Sequence, residues 1–215
     1  ADLGAAAEQQ QPPPDLCIFF YSHEVGEYAC FSQFFHSEFT DGTQIYSCME
    51  QFMMAEKAKA MGDESSRALL LAAEYDPAEF KRLGRRIASW SQEIWEGARE
   101  AVVTRGNILK FGQNAALGDV LLSTGDLVLA EAAKYDLIWG IGLDLHDAQT
   151  GHPWRGLNLL GKCLMVAREE LARRAREPGS APRPQPPAAA GVGGAAALGA
   201  DTAANAGHAP GAAGD

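Results

Sequence analysis

The first apolar run, CIFFYS from Cys17 to Ser22, is short and aromatic and predicts a buried strand. Residues His23 to Phe39 are rich in aromatic and small polar side chains and show no clear period. Asp41-Gly42 marks a turn into a second short strand near Ile45-Tyr46. Ser47 then predicts the N-cap of a helix running to about Met61, with Glu50 three residues on as its capping-box partner. A second helix begins near Asp63. A third has Asp76 as N-cap, Pro77 at its first position and Glu79 completing the box. A longer helix covers about Ser91 to Phe111, with Ile94, Ala98, Val102, Arg105 and Leu109 along one side. Asn114 to Leu122 reads as helix and Leu127 to Ala130 as a strand. Lys162 to Arg176 reads as a last helix, carrying Arg168, Arg173 and Arg174 on its outer face. Helices dominate, the strands are few and short, and no βαβ alternation appears. The expectation is therefore a compact, mostly helical α+β domain.

Composition narrows the part that can fold. From Pro178 onward the sequence is almost entirely Ala, Gly and Pro with scattered polar residues, and it contains no aromatic side chain. Such a segment cannot bury enough surface to offset the entropy of ordering. The Gln- and Pro-rich start reads the same way. The expected organisation is one domain over 15–176, a disordered segment at 1–14 and a disordered tail at 177–215.

The 215-residue chain carries a net charge of −10, which disfavours broad attraction to a phosphate backbone. A local basic pocket remains open: Arg82, Arg85 and Arg86 cluster, and Lys57, Lys59, Arg155 and Lys162 lie near other motifs. No apolar run approaches the ~20 residues of a membrane span, and no charged-then-apolar leader is present at the start, so neither membrane nor secretion is expected. Cys17, Cys30, Cys48 and Cys163 are scattered without a CxxC pair, as reduced thiols of a cytoplasmic protein would be, with the nucleus as the alternative compartment.

Two stretches carry candidate chemistry. In IWGIGLDLHDAQTGHPWRGLNLLGK, from Ile138 to Lys162, five glycines separate two tryptophans, two aspartates, two histidines, an arginine and an asparagine. Such a loop suits a concave ligand site. It equally suits a rigid surface loop with Trp139 and Trp154 tucked into the core. Asp144, His146, Asp147 and His152 match no common metal motif. In the helix SCMEQFMMAEKA, Glu50, Met54, Lys57 and Met61 share one side, and Cys48, Phe52 and Ala55 form the neighbouring apolar side. Glu50 and Lys57 thus stand two turns apart, about 10 Å along the axis. Charges on such a stripe belong either at the rim of a core, with Glu50 a mere cap and Lys57 snorkelling, or inside a pocket.

Six blocks in order connect these stretches to a known pattern: FYS at 19–21; FSQFF at 31–35; SCMEQFMMAEK at 47–57; LGRRIASW at 83–90 with IW at 94–95; KFGQN at 110–114 followed by LLSTGD at 121–126; and LAEAAKYDLIWGIGL at 129–143, leading to WRGLNLLGKCLMVARE at 154–169. In these blocks the sequence resembles the NADAR family, also called YbiA-like. It departs from the family in flanking Glu50 with Met49 and Gln51. The resemblance implies a largely helical α+β fold and an N-glycosidase that cleaves a bond between ribose C1 and a nitrogen. One branch of the family acts on ribosylamine phosphates of early riboflavin synthesis. Another removes ADP-ribose from guanine in nucleic acid, a reversal of ADP-ribosylation. The implied partner is a small nucleotide or ribosylamine phosphate, or ADP-ribosylated nucleic acid. No metal or cofactor is implied.

The residues fit that class of reaction. An oxocarbenium-like state needs a carboxylate nearby and the departing nitrogen needs a proton. Glu50 and Asp144 are the candidate carboxylates. Lys57 offers a second route, capturing the opened ribose aldehyde as a Schiff base. Tyr21, Ser32, Phe34 and Trp139 are candidates for contacting base or sugar, and Arg85 with the amides beside Gly140 and Gly142 for phosphate oxygens. Asn158 either holds ribose hydroxyls or ties the loop together. The rival expectation is an ADP-ribose or NAD reader with the same pocket and no turnover; retention of both Glu50 and Lys57 argues for the enzyme.

Overall fold

A computed structural model describes residues 11–177. The first ten residues and all of the expected disordered tail beyond Glu177 lie outside the described residues. Residues 11–14, expected to belong to the disordered start, lie against the glycine-rich loop. The Gln11 side-chain oxygen accepts from the Trp154 amide at 2.7 Å, and its side-chain amide donates to the His152 carbonyl at 3.2 Å.

The elements follow in the order β1 (Cys17–Phe20), β2 (Phe39–Thr40), β3 (Ile45–Tyr46), α1 (Met49–Ala60), α2 (Glu64–Ala72), α3 (Pro77–Gly84), α4 (Gln92–Gln113), α5 (Ala115–Ser123), β4 (Val128–Glu131), α6 (Leu145–Gln149) and α7 (Leu159–Arg176). The expected mostly helical α+β architecture is present. β1 pairs in parallel with β4, from Cys17 opposite Val128 to Phe20 opposite Glu131. β2 and β3 form a small antiparallel hairpin closed by the expected Asp41-Gly42 turn, in which the Asp41 carboxylate accepts the amides of Thr43 and Gln44.

The helix starts follow local chemistry. Asp63, Asp76 and Ser91 cap α2, α3 and α4 through their side-chain oxygens, and Pro77 opens α3. The start of α1 differs from expectation. Its N-cap is Cys48, and Ser47 closes onto Gln51, whose side-chain oxygen accepts both the Ser47 amide at 2.7 Å and its hydroxyl at 2.9 Å. The Gln51 amide then donates to the Leu70 carbonyl. Gln51 can serve two elements at once, which Glu50 could not, so Glu50 is left out of the cap.

α1 is buried on nearly every side, packed against α2, α3, α4 and β3. Its close crossing with α4 depends on Gly106: a Cβ there would stand 2.6 Å from the Met49 methyl and 2.7 Å from the Phe52 ring. α7 covers the back of α4 and β4. Arg168 does not face outward as the pattern suggested. It is buried and donates to the Thr124 hydroxyl at 2.8 Å and the Leu127 carbonyl at 2.9 Å, tying α7 to the turn before β4. Arg173 and Arg174 do stay outside, paired with Glu170. All four cysteines are free thiols.

Candidate active site

Glu50 lies in the first turn of α1, only 3% exposed. Its backbone N–H donates to the Gln33 carbonyl at 2.9 Å, which seats the FSQFF segment against the helix start. Its carboxylate makes no hydrogen bond or ion pair among the described residues. Loss of hydration on burial pushes it up to about 7; Lys81 and Lys57 oppose that rise, Asp136 adds to it and Arg85 opposes it.

Two turns on, Lys57 is half-buried. Its Nζ lies 4.2 Å from the centroid of the Trp90 ring and 5.9 Å from that of Trp95. Burial lowers its pKa, Glu50 opposes that, and Arg85 lowers it further. The Trp90 ring face favours the charged amine. Trp90 follows Ser89, whose φ of 54° is a left-handed conformation uncommon outside glycine. Met54, between Glu50 and Lys57, packs against Gly84 of α3, which brings Lys81 and Arg85 to the same rim.

The end of β4 and the loop after it supply the acidic groups that act on the same cluster. Glu131 is the last residue of the strand. Burial pushes its carboxyl up to about 8, with Asp136 and Glu50 adding to the rise and Lys81 opposing it. Asp136 accepts the amides of Ile138 at 2.9 Å and Trp139 at 2.7 Å, which fixes the loop. Glu131, Asp136, Lys81 and Trp90 were not singled out from the sequence. Their signal was present, because Glu131 and Asp136 stand inside LAEAAKYD and Trp90 ends LGRRIASW.

The remaining candidates divide. Ser32 and Phe34 flank the Gln33 carbonyl that receives Glu50; the Ser32 hydroxyl accepts the Phe34 amide, and its carbonyl takes the fully buried Lys110 ammonium at 3.2 Å. Tyr21 stands 57% exposed just past β1. Trp139 is partly buried against the main core, and Trp154 packs against a smaller cluster around Ile141. Gly140 is pressed against the strand end: a Cβ there would meet the Ala133 methyl at 2.9 Å and the Glu131 carbonyl at 3.0 Å. Gly142 has a φ of 71° and abuts Leu137 and Arg155.

Asn158 takes the tying role. Buried at the start of α7 with a φ of 53°, it accepts the Glu131 amide at 3.2 Å and donates to the Leu129 carbonyl at 2.9 Å. Asp144 lies outside the Glu50 cluster. It caps α6 through the Asp147 amide and pairs with Lys134 at 3.0 Å, and both contacts hold its carboxyl below the usual range. Asp147 and His146 belong to that same helix, and the His152 ring nitrogen bonds the Thr150 hydroxyl.

Two surface concavities lie elsewhere. One of about 590 Å³ is lined by Pro14, Asp15, Cys17, Ile18, Phe19, Tyr28 and Gln149, and one of about 240 Å³ by residues 19–29. Neither gathers opposed ionisable groups. The Glu50 cluster does, and that chemistry outweighs size.

The model of the NADAR domain family matches residues 19–172, a span that contains every member of this cluster. The chain belongs to the NADAR family. An N-glycosidase of Acanthamoeba polyphaga mimivirus is 40% identical over 147 residues, which cover 65% of this chain and 86% of that protein. An N-glycosidase of Nostoc punctiforme is 31% identical over 144 residues, covering 67% of this chain and 86% of that one. A riboflavin biosynthesis protein of Vibrio vulnificus is 32% identical over 158 residues, which are 74% of this chain but 39% of the longer relative. The NMR structure of E. coli YbiA superposes with a TM-score of 0.64 at 30% identity, covering 79% of this chain and 93% of that one. These relatives support a hydrolase acting on N-glycosyl bonds. No helix among the described residues is long and apolar enough to cross a membrane.

Proposed function

We propose that this NADAR protein is an N-glycosidase that hydrolyses the bond between ribose C1 and a nitrogen in an ADP-ribosyl or ribosylamine-phosphate substrate. The observation that carries the reading is Glu50: a nearly fully buried carboxylate with no hydrogen-bonding or ionic partner among the described residues, under the charges of Lys81, Lys57 and Arg85. A carboxylate held there for stability alone would have a partner, as buried Glu56 has in Arg105 at 3.2 Å.

As C1–N breaks, positive charge develops on C1 and the ring oxygen, and ionised Glu50 stabilises it or takes a proton from the attacking water. Water supplies the oxygen that bonds C1, and the departing nitrogen leaves with a proton. Trp90 and Trp139 offer ring faces to base or sugar, while Lys81 and Arg85 suit phosphate oxygens. Lys57 either pairs with a phosphate or captures the opened ribose as an imine.

Incubation with ADP-ribosylated guanine and, separately, a ribosylamine phosphate tests the reading, with the released base or amine followed by mass spectrometry. Release from at least one substrate is expected, and Glu50→Gln should slow it by on the order of 100-fold while ADP-ribose still binds. Binding without release from either substrate would make the protein a reader and overturn the enzymatic reading.

A further inference from the structure

We propose that Gln33 is a substrate-binding residue whose side-chain carboxamide holds the ribose 2-hydroxyl, the one next to C1, beside Glu50. The inference rests on the N-glycosidase reading and deepens it by naming the group that grips the sugar.

Asn158, the carboxamide expected to hold ribose hydroxyls, has both its ends bonded to β4. The buried carboxamides among the described residues are those of Gln33, Gln51, Asn107 and Asn158. Gln51 donates to the Leu70 carbonyl, Asn107 to the Val103 carbonyl and Asn158 to the Leu129 carbonyl. Gln33, only 7% exposed, is different. Its side-chain oxygen is buried with no hydrogen-bonding partner among the described residues, and its side-chain nitrogen has none there either. A carboxamide is both donor and acceptor, and burying it unsatisfied is costly unless something else completes it.

The backbone around Gln33 is, by contrast, tied on every side. Lys110 of α4, fully buried, donates to the Cys30 carbonyl at 2.6 Å and to the Ser32 carbonyl at 3.2 Å. The Gln33 carbonyl accepts the Glu50 N–H at 2.9 Å, and the Phe34 carbonyl accepts the Tyr75 hydroxyl at 2.7 Å. The carbonyls of residues 32, 33 and 34 are thus fixed by α4, by the first turn of α1 and by the loop between α2 and α3. The unsatisfied side chain stands on a rigid turn, and its own peptide is bonded to the residue whose carboxylate acts at C1.

The hydroxyl on the carbon next to C1 is the sugar group that a side chain beside Glu50 meets first. A hydroxyl donates and accepts, which matches a carboxamide lacking both kinds of partner. Hydrogen bonds to this hydroxyl strengthen as the oxocarbenium-like state forms, so Gln33 should act on turnover more than on ground-state binding.

Gln33→Met and Gln33→Leu in the full chain test this in two ways. Without ligand, both should melt at or above the wild-type Tm, because an unsatisfied buried polar group gives way to an apolar one. A lower Tm in both would show that the carboxamide has a structural partner, and would refute the proposal whether or not any substrate is found. In turnover, kcat/KM should fall roughly 10- to 100-fold on a ribosyl substrate, mostly through kcat, and hardly change on its 2-deoxyribosyl counterpart. Equal losses on the two sugars, or no loss on either, refute contact with the hydroxyl. Absence of turnover on every N-glycoside would instead overturn the proposed function, and a titration with ADP-ribose would then decide the role of Gln33. Binding to Gln33→Met about fivefold weaker than to wild type is expected if the carboxamide grips the sugar, and equal or absent binding in both proteins refutes it.

Discussion

Replacing Glu50 by Gln should stabilise this protein at alkaline pH, and the structure sets the size of the gain. Burial raises the carboxyl from 4.5 to about 7 despite three nearby cations. At acidic pH below 4.5 it is protonated in both folded and unfolded chains and contributes nothing. As pH rises from there to about 7, the folded chain retains a proton that the unfolded chain has lost, so stability falls. Beyond about 7 the whole penalty is present, about 3 kcal/mol for a shift of that size. Glu131 titrates in the same field, so part of the relief is shared, and a gain of about 1–3 kcal/mol is the reasonable expectation for the single variant. For a domain of this length that is roughly 3–10 °C in Tm. Urea unfolding of wild type and Glu50→Gln at pH 5 and pH 8.5 checks it: nearly equal stability at pH 5 and a more stable variant at pH 8.5. A variant less stable at both values would show that Glu50 is a structural residue with a partner, and the reasoning from burial would fail. The sign is the informative part, since most core substitutions destabilise. A gain coupled to lost turnover marks a group held in place for function.

Other perturbations report on neighbouring parts. Borohydride added during turnover should trap a sugar adduct on Lys57 if its amine captures the opened ribose, and Lys57→Ala should abolish adduct and activity together; full activity in Lys57→Arg without any adduct would assign it to phosphate pairing. Asn158→Gly keeps the left-handed backbone but removes both side-chain bonds to β4, so it should lose about 1–3 kcal/mol in urea unfolding and depress kcat more than KM. Gly106→Ala should cost about 1–2 kcal/mol in the same assay, because overpacking against Phe52 exceeds the helical preference for alanine, and it should slow turnover by moving the start of α1.

The sequence by itself determined most elements and the family. Apolar patterning and turn and cap residues such as Asp63, Asp76 and Pro77 placed six helices, and the Asp41-Gly42 turn set the hairpin. These signals are local, and local chemistry decides them. The pairing of Glu50 with Lys57 on one stripe was also legible, since both lie on one helix. Tertiary structure decided the rest. Whether Glu50 capped α1 or stood free depended on Gln51 reaching Leu70 in α2, a contact across 19 residues. Asp144 and Glu131 both lie in or beside the glycine-rich segment as acidic residues. Only the fold separates them, giving Asp144 a helix start and a lysine, and leaving Glu131 with its backbone clamped and its carboxyl unpaired. Asn158 and Arg168 went inward because orphaned backbone groups of β4 and the turn before it needed partners there. A carboxylate's role is set by which charges and donors surround it, and those come from parts of the chain far apart in sequence.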